Sequence, residues 1–95
     1  MTQTIHVNRR AHERFPVSWP IRLMLQEALL VGRVVDVSEQ GLCVLTAPTG
    51  ALKQGLSCRI EMVLSEIQTV TCNAEVRHVT DALVGLRTSE RFKFS

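Results

Sequence analysis

The sequence predicts an all-β domain, a six-stranded antiparallel barrel, and three observations carry the prediction. Where apolar residues repeat, they repeat with a period of two. The repeating runs are short, and turn residues separate them at intervals of about 8–12 residues. No stretch carries a convincing amphipathic helical stripe. Closing such a sheet on itself removes exposed edges, which a chain this rich in β-branched residues needs.

Residues 1–14 show no hydrophobic period and read as a flexible arm, ordered on binding, with the barrel domain over 15–95. Pro16 and Pro20 bracket Val17-Ser18-Trp19 and argue against helix there. Ile21, Leu23 and Leu25 then alternate with Arg22, Met24 and Gln26, a first strand with one buried face. Glu27-Ala28 turns the chain into a second strand, Leu29 to Val37. Gln40-Gly41 forms a corner, and Leu42 to Thr46 is the third strand.

Pro48-Thr49-Gly50 and Gln54-Gly55 punctuate a loop. The fourth strand runs from about Ser57 to Leu64, with Cys58, Ile60, Met62 and Leu64 on one face. Ser65 to Gln68 is a hairpin connection. The fifth strand, Thr69 to Val79, turns Val70, Cys72, Ala74 and Val76 inward and Thr71, Asn73, Glu75 and Arg77 outward. Thr80-Asp81 leads to the sixth, Leu83 to Thr88, with Val84 and Leu86 inward. Ser89 to Ser95 leaves room for about two turns of a terminal helix.

The chain of 95 residues is one small domain, and its apolar fraction of 45% is too high for a disordered chain. Net charge is only +2, but Arg9, Arg10 and Arg14, with His6 and His12, cluster around a single acid, Glu13. That is a local anion site rather than a general nucleic-acid-binding face. No apolar run of about 18 residues is present, and the polar N-terminus lacks the pattern of a signal peptide. Met1 reads as a natural start. Cys43, Cys58 and Cys72 are odd in number and widely spaced, without a zinc-ligand pattern. They read as reduced thiols of a cytoplasmic protein, Cys43 and Cys72 acting as small hydrophobes.

Two motifs carry chemistry. Arg10-Ala11-His12-Glu13-Arg14 is an RxxxR pattern preceded by Arg9, and Asp36-Val37-Ser38-Glu39-Gln40-Gly41 is a DxSxxG pattern closing a strand. Each alone is weak; in this order, ahead of a six-strand pattern, they are far more specific. Arginine's planar fork binds phosphate bidentately, matches the O6 and N7 acceptors of guanine, and stacks on purines. Asp36 offers an acceptor-only carboxylate, suited to the N1–H and N2–H₂ donors of guanine. Ser38 shares a strand face with Asp36, which leaves Val35 and Val37 pointing inward. Gly41 allows either a positive φ or close approach of a ligand.

These motifs resemble the signature of the PilZ domain, the bacterial receptor module for cyclic di-GMP, over roughly residues 9 to 90. The resemblance implies a PilZ-type six-stranded barrel, with Arg10 and Arg14 as ligand arginines on an arm that closes over the nucleotide. It adds Asp36, Ser38 and Gly41 to the cyclic di-GMP site. Arg9 before RxxxR implies a stacked ligand dimer. Gly85-Leu86-Arg87 is similar to the glycine-apolar-arginine ending of the last PilZ strand, making Arg87 a secondary candidate. Many PilZ domains continue into a C-terminal helix for which this chain has little room.

The implied function is a cyclic di-GMP receptor that signals to an unidentified protein partner, with motility, exopolysaccharide or biofilm output. No other cofactor and no metal is expected. The alternative is a PilZ adaptor for protein–protein interaction that binds no nucleotide. Catalysis is not expected, since no nucleophile–base pair, carboxylate pair or metal cluster appears. Nor are DNA or RNA expected as partners: Tyr is absent and the Phe residues do not interleave with basic residues. Trp19 reads as a plug at the barrel end, and His12 and His78 as surface residues.

Overall fold

A computed structural model describes residues 4–7 and 15–94 of the chain. Its strands are β1 (Thr4–Val7), β2 (Phe15–Met24), β3 (Leu29–Val37), β4 (Gly41–Thr46), β5 (Ser57–Ser65), β6 (Gln68–Thr80), β7 (Leu83–Thr88) and β8 (Arg91–Phe94). Strands β2 to β7 close an antiparallel barrel in the order β2-β3-β4-β7-β6-β5, the architecture expected. Strands β1 and β8 form a separate parallel pair, Thr4 opposite Arg91 through Val7 opposite Phe94.

Alternation fills the barrel. Ile21 and Leu23 from β2, Leu42 and Val44 from β4, and Ile60 and Met62 from β5 are buried. The inward set expected of β6 is buried throughout: Val70, Cys72, Ala74 and Val76. Each large apolar side chain removed from water contributes about 1.5–3 kcal/mol, opposed by the entropy of ordering the chain. Trp19 is half-buried and packs against this core. Met24, expected to alternate outward on the first strand, is half-buried, while Met62 is fully enclosed.

The strand containing Pro16 and Pro20 begins earlier than expected. Both prolines pair only with β3, at Asp36 and Arg33, because β5 joins β2 only from Ile21 onward. The missing N–H groups therefore fall where β2 is an edge, a position that tolerates proline.

Both termini depart from the sequence expectation. Thr4–Val7, placed within a flexible arm, form β1, and the segment given room for a short helix contains β8 instead. Phe92 explains the second difference: it is 1% exposed, a large side chain sealing the core. In Arg91-Phe92-Lys93-Phe94 the aromatic residues recur every second position, the strand period rather than the helical one.

Candidate functional site

The DxSxxG segment forms the hairpin between β3 and β4. A β-bulge interrupts the β3–β4 register: Val34 pairs with Val44, then Asp36 with Cys43, and Val35 is passed over. The extra residue resets the alternation. Val34 and Val37 are both fully buried, and Val35 and Asp36 are both half-buried. Val35 is thus not the inward residue the simple alternation predicted. The bulge leaves Asp36 flanked by Cys43 on one side and Pro16 on the other.

The corner is held by its own groups. The Ser38 N–H donates to the Gly41 carbonyl at 2.9 Å, and the Ser38 hydroxyl donates more weakly to the same oxygen at 3.5 Å. Gly41 does not adopt a left-handed conformation; the only glycine with positive φ among the described residues is Gly55. Of the two reasons offered for Gly41, a positive φ does not apply. A Cβ there would stand 3.0 Å from Ser38 Oγ and 3.6 Å from the Leu86 carbonyl. Glycine keeps the hydroxyl and the barrel wall beside it uncovered.

Cross-strand register extends this corner over the outer wall. His78 on β6 pairs with Gly85 on β7, Gly85 with Cys43 on β4, and Cys43 with Asp36 on β3. The imidazole of His78 lies over Gly85, with Cε1 2.1 Å from where a Cβ would stand. Gly85 thus serves packing, and what it accommodates is this ring. Cys43 is half-buried on the outward side of β4, between the buried Leu42 and Val44. A glycine in the middle of an apolar strand was the sequence signal for a close approach here.

Arg87, the secondary candidate, pairs in register with Gly41 on one side and Glu75 on the other. Glu75 is joined to Arg77 at 3.2 Å, and Arg87 makes no ion pair among the described residues. Arg87 and Gln40 also border a groove of about 810 Å³, together with Arg59, Asn73 and Ser57. Arg59 donates to Asn73 Oδ1 at 3.2 Å. The groove beside the hairpin therefore offers guanidinium and amide donors from Arg87, Arg59, Asn73 and Gln40.

The hairpin tip is fastened to the C-terminal segment. The Phe92 N–H donates to the Glu39 carbonyl at 2.5 Å, and the Thr88 N–H to the Gln40 carbonyl at 3.1 Å. The Gln40 side chain donates to the Thr88 carbonyl at 3.5 Å, and Arg91 forms an ion pair with Glu39. The two unspecified positions between Ser38 and Gly41, Glu39 and Gln40, are thus structural fasteners.

Arg9, Arg10 and Arg14 lie outside the described residues, as does His12. The strands flanking them are described. Val7 ends β1 opposite Phe94, and Phe15 begins β2 opposite Val37 of the hairpin strand. The structure therefore brings together Asp36, Ser38, Gly41 and Arg87 and fixes where the arginine-bearing segment leaves and rejoins the fold.

The remaining chemistry of the wall is sparse. No group of three or more His, Cys, Asp or Glu side chains among the described residues could hold a metal ion. All three cysteines are free thiols. Burial pushes the Cys58 thiol up, and burial together with the Glu90 carboxylate pushes Cys72 up to about 11. Both are therefore protonated, weakly nucleophilic thiols near neutral pH. No helix among the described residues is long and apolar enough to cross a membrane.

A family model for the PilZ domain matches residues 8–92. No curated protein matches. Seven chains of solved structures match. One is the Bacillus subtilis inhibitor of motility MotI/DgrA, with a TM-score of 0.69 and 21% sequence identity, covering 90% of this chain and 44% of that one. The present chain thus spans less than half the length of that protein, and at this identity the likeness is one of fold.

Proposed function

Because the chain belongs to the PilZ domain family, a family of cyclic di-GMP receptor modules, we propose that it binds cyclic di-GMP against the outer wall beside the β3–β4 hairpin. The observation that carries this reading is the joint position of the two motifs. The seven-residue segment bearing Arg9, Arg10 and Arg14 rejoins the fold at Phe15, directly across from the DxSxxG strand.

In this reading Arg10 and Arg14 take the phosphates and guanine edges through bidentate contacts. Asp36 accepts from guanine N1–H and N2–H₂, and Ser38 donates to phosphate or accepts from the base. Gly41 keeps the approach open, and Arg87 is a further cation at its side. Arg9 supports a second, stacked ligand. Binding pins the arginine segment to the barrel and changes the surface that a downstream protein reads, a ligand-controlled switch. A cytoplasmic location and output through motility, exopolysaccharide or biofilm formation belong to the same proposal.

A second reading is an adaptor that binds a protein and no nucleotide. One observation favours it: Leu45 and Leu83 are register partners on the outer wall, 46% and 42% exposed, and Val31 nearby on β3 is 67% exposed. Replacing Arg14 with alanine separates the readings, since an adaptor keeps its partner and a receptor loses its ligand response.

Isothermal titration with cyclic di-GMP, with GTP as control, tests the first reading. Arg10→Ala and Asp36→Ala should each weaken binding by at least about tenfold, the loss of one charge-assisted hydrogen bond of about 1.5–3 kcal/mol. Arg9→Leu should lower the stoichiometry from two ligands per chain to one. Absence of heat and of competition at ~100 μM ligand, weaker than roughly −5.5 kcal/mol, leaves the adaptor as the better account.

A further inference from the structure

We infer that the chain pairs with a second copy of itself through the tip of the β5–β6 hairpin, Ile67 of each copy filling a hole on the β2–β3–β5 wall of the other. The inference does not rest on the cyclic di-GMP reading, and none of its residues belongs to the site beside the β3–β4 hairpin.

The hole opens where a proline ends a ladder. The β2–β5 pairing runs from Met24 opposite Arg59 to Ile21 opposite Met62 and stops there. The next residue of β2 is Pro20, which has no N–H to give to a ladder. Strand β5 continues to Ser65 without pairing to β2. At this place lies a hole of about 230 Å³, lined by Pro20, Val31, Gly32 and Val63, with the Arg22–Glu61 ion pair among its walls. Gly32 lines it with backbone alone.

The knob stands on the hairpin that supplies one of those walls. Glu66 and Ile67 join β5 to β6, and Ser65 pairs with Gln68. Turn positions usually go to Gly, Pro, Asn, Asp or Ser. Here one goes to isoleucine, and Ile67 is 97% exposed, so the fold gains no burial from it. The Ile67 N–H donates to the Ser65 hydroxyl oxygen at 3.3 Å, which braces the tip. An apolar knob on a braced turn gains burial only against another surface.

Shape and charge favour a second copy as that surface. From Val63 at the hole to Ile67 is four residues of hairpin, roughly 13 Å at the rise of a strand. A two-fold axis between them brings each knob to the other copy's hole, the self-complementary contact of a closed dimer. Glu66, next to the knob, then meets Arg22 beside the hole. The Arg22 Nε faces Glu61 at 3.8 Å, and its terminal nitrogens make no ion pair among the described residues. Each contact buries one isoleucine and joins opposite charges. Two such contacts make a small interface, so the dimer is weak and grows with concentration.

The test is sedimentation velocity of the full chain without nucleotide, from about 10 μM to about 1 mM. The parent should show a dimer whose share rises over this range. Ile67→Lys removes the knob and keeps the hole; Val63→Glu keeps the knob and places a charge in the hole. Ile67 is fully exposed and Val63 is 39% exposed, so the barrel should stay folded in both, and thermal unfolding checks this. Each variant alone should associate at least about tenfold more weakly than the parent. Mixed in equal amounts, the two should associate again. The knob of one then meets the intact hole of the other, and the two introduced charges are opposite at the second contact.

A parent that stays monomeric to about 1 mM, an Ile67→Lys variant that associates like the parent, or a mixture no stronger than its components overturns the dimer.

Discussion

Three glycines show how much the space around one position decides. At Gly41 a Cβ would crowd the Ser38 hydroxyl, at Gly85 it would meet the ring of His78, and at Gly32 it would stand 2.5 Å from the Leu45 carbonyl. The obstacles differ in kind. The His78 side chain is exposed and can swing outward, whereas the Leu45 carbonyl is part of the β3–β4 ladder. Gly32→Ala should therefore cost about 1–3 kcal/mol by forcing the backbone apart, and Gly85→Ala less than about 1 kcal/mol. Urea denaturation of both variants checks the difference, and NMR of the His78 ring protons should report its displacement only in Gly85→Ala. Equal losses would mean that the ring is held as firmly as the backbone.

At the scale of elements, the bulge in β3 is the feature with most consequence for the site. It spaces two buried valines three apart and turns Asp36 toward the hairpin's outer wall. Val34→Thr should cost about 1–3 kcal/mol by burying a hydroxyl without a partner, while Val35→Thr should change stability by less than about 0.5 kcal/mol. Thermal unfolding of the pair reads the contrast, and similar losses would place Val35 inside. The six barrel strands were legible because Ile21-Leu23, Cys58-Ile60-Met62 and Val70-Cys72-Ala74-Val76 each keep strict alternation against polar neighbours. The bulge was not legible, because Val34, Val35 and Val37 are the same residue type and do not mark which one is passed over. β1 and β8 were missed for another reason. Each is only four residues long, and each pairs with a segment at the other end of the chain. The site divided in the same way. Asp36, Ser38 and Gly41 were readable from their spacing, whereas His78 and Cys43 join their neighbourhood only through cross-strand register.

For the whole molecule, the closed barrel is a rigid frame with one end committed to holding its termini. Its radius of gyration, 12.4 Å, is that of a single domain of this length. Barrel closure gives each of β2 to β7 a neighbour on both sides over part of its length, and the one-sided stretch of β2 carries Pro16 and Pro20, so side chains on the outer wall are the natural means of recognition. Arg87 beside the hairpin and the exposed Leu45 and Leu83 further along the same strands are compatible with a ligand-controlled docking surface. The central claim is that cyclic di-GMP lies beside the β3–β4 hairpin, and backbone amide NMR during a ligand titration tests it most directly. The account predicts shifts confined to Asp36 through Cys43, Gly85 through Thr88 and the segment between Val7 and Phe15, saturating with the ligand. Shifts centred instead on the far wall, at Glu61, Val63 and Arg22, or no shifts at saturating ligand, would contradict it.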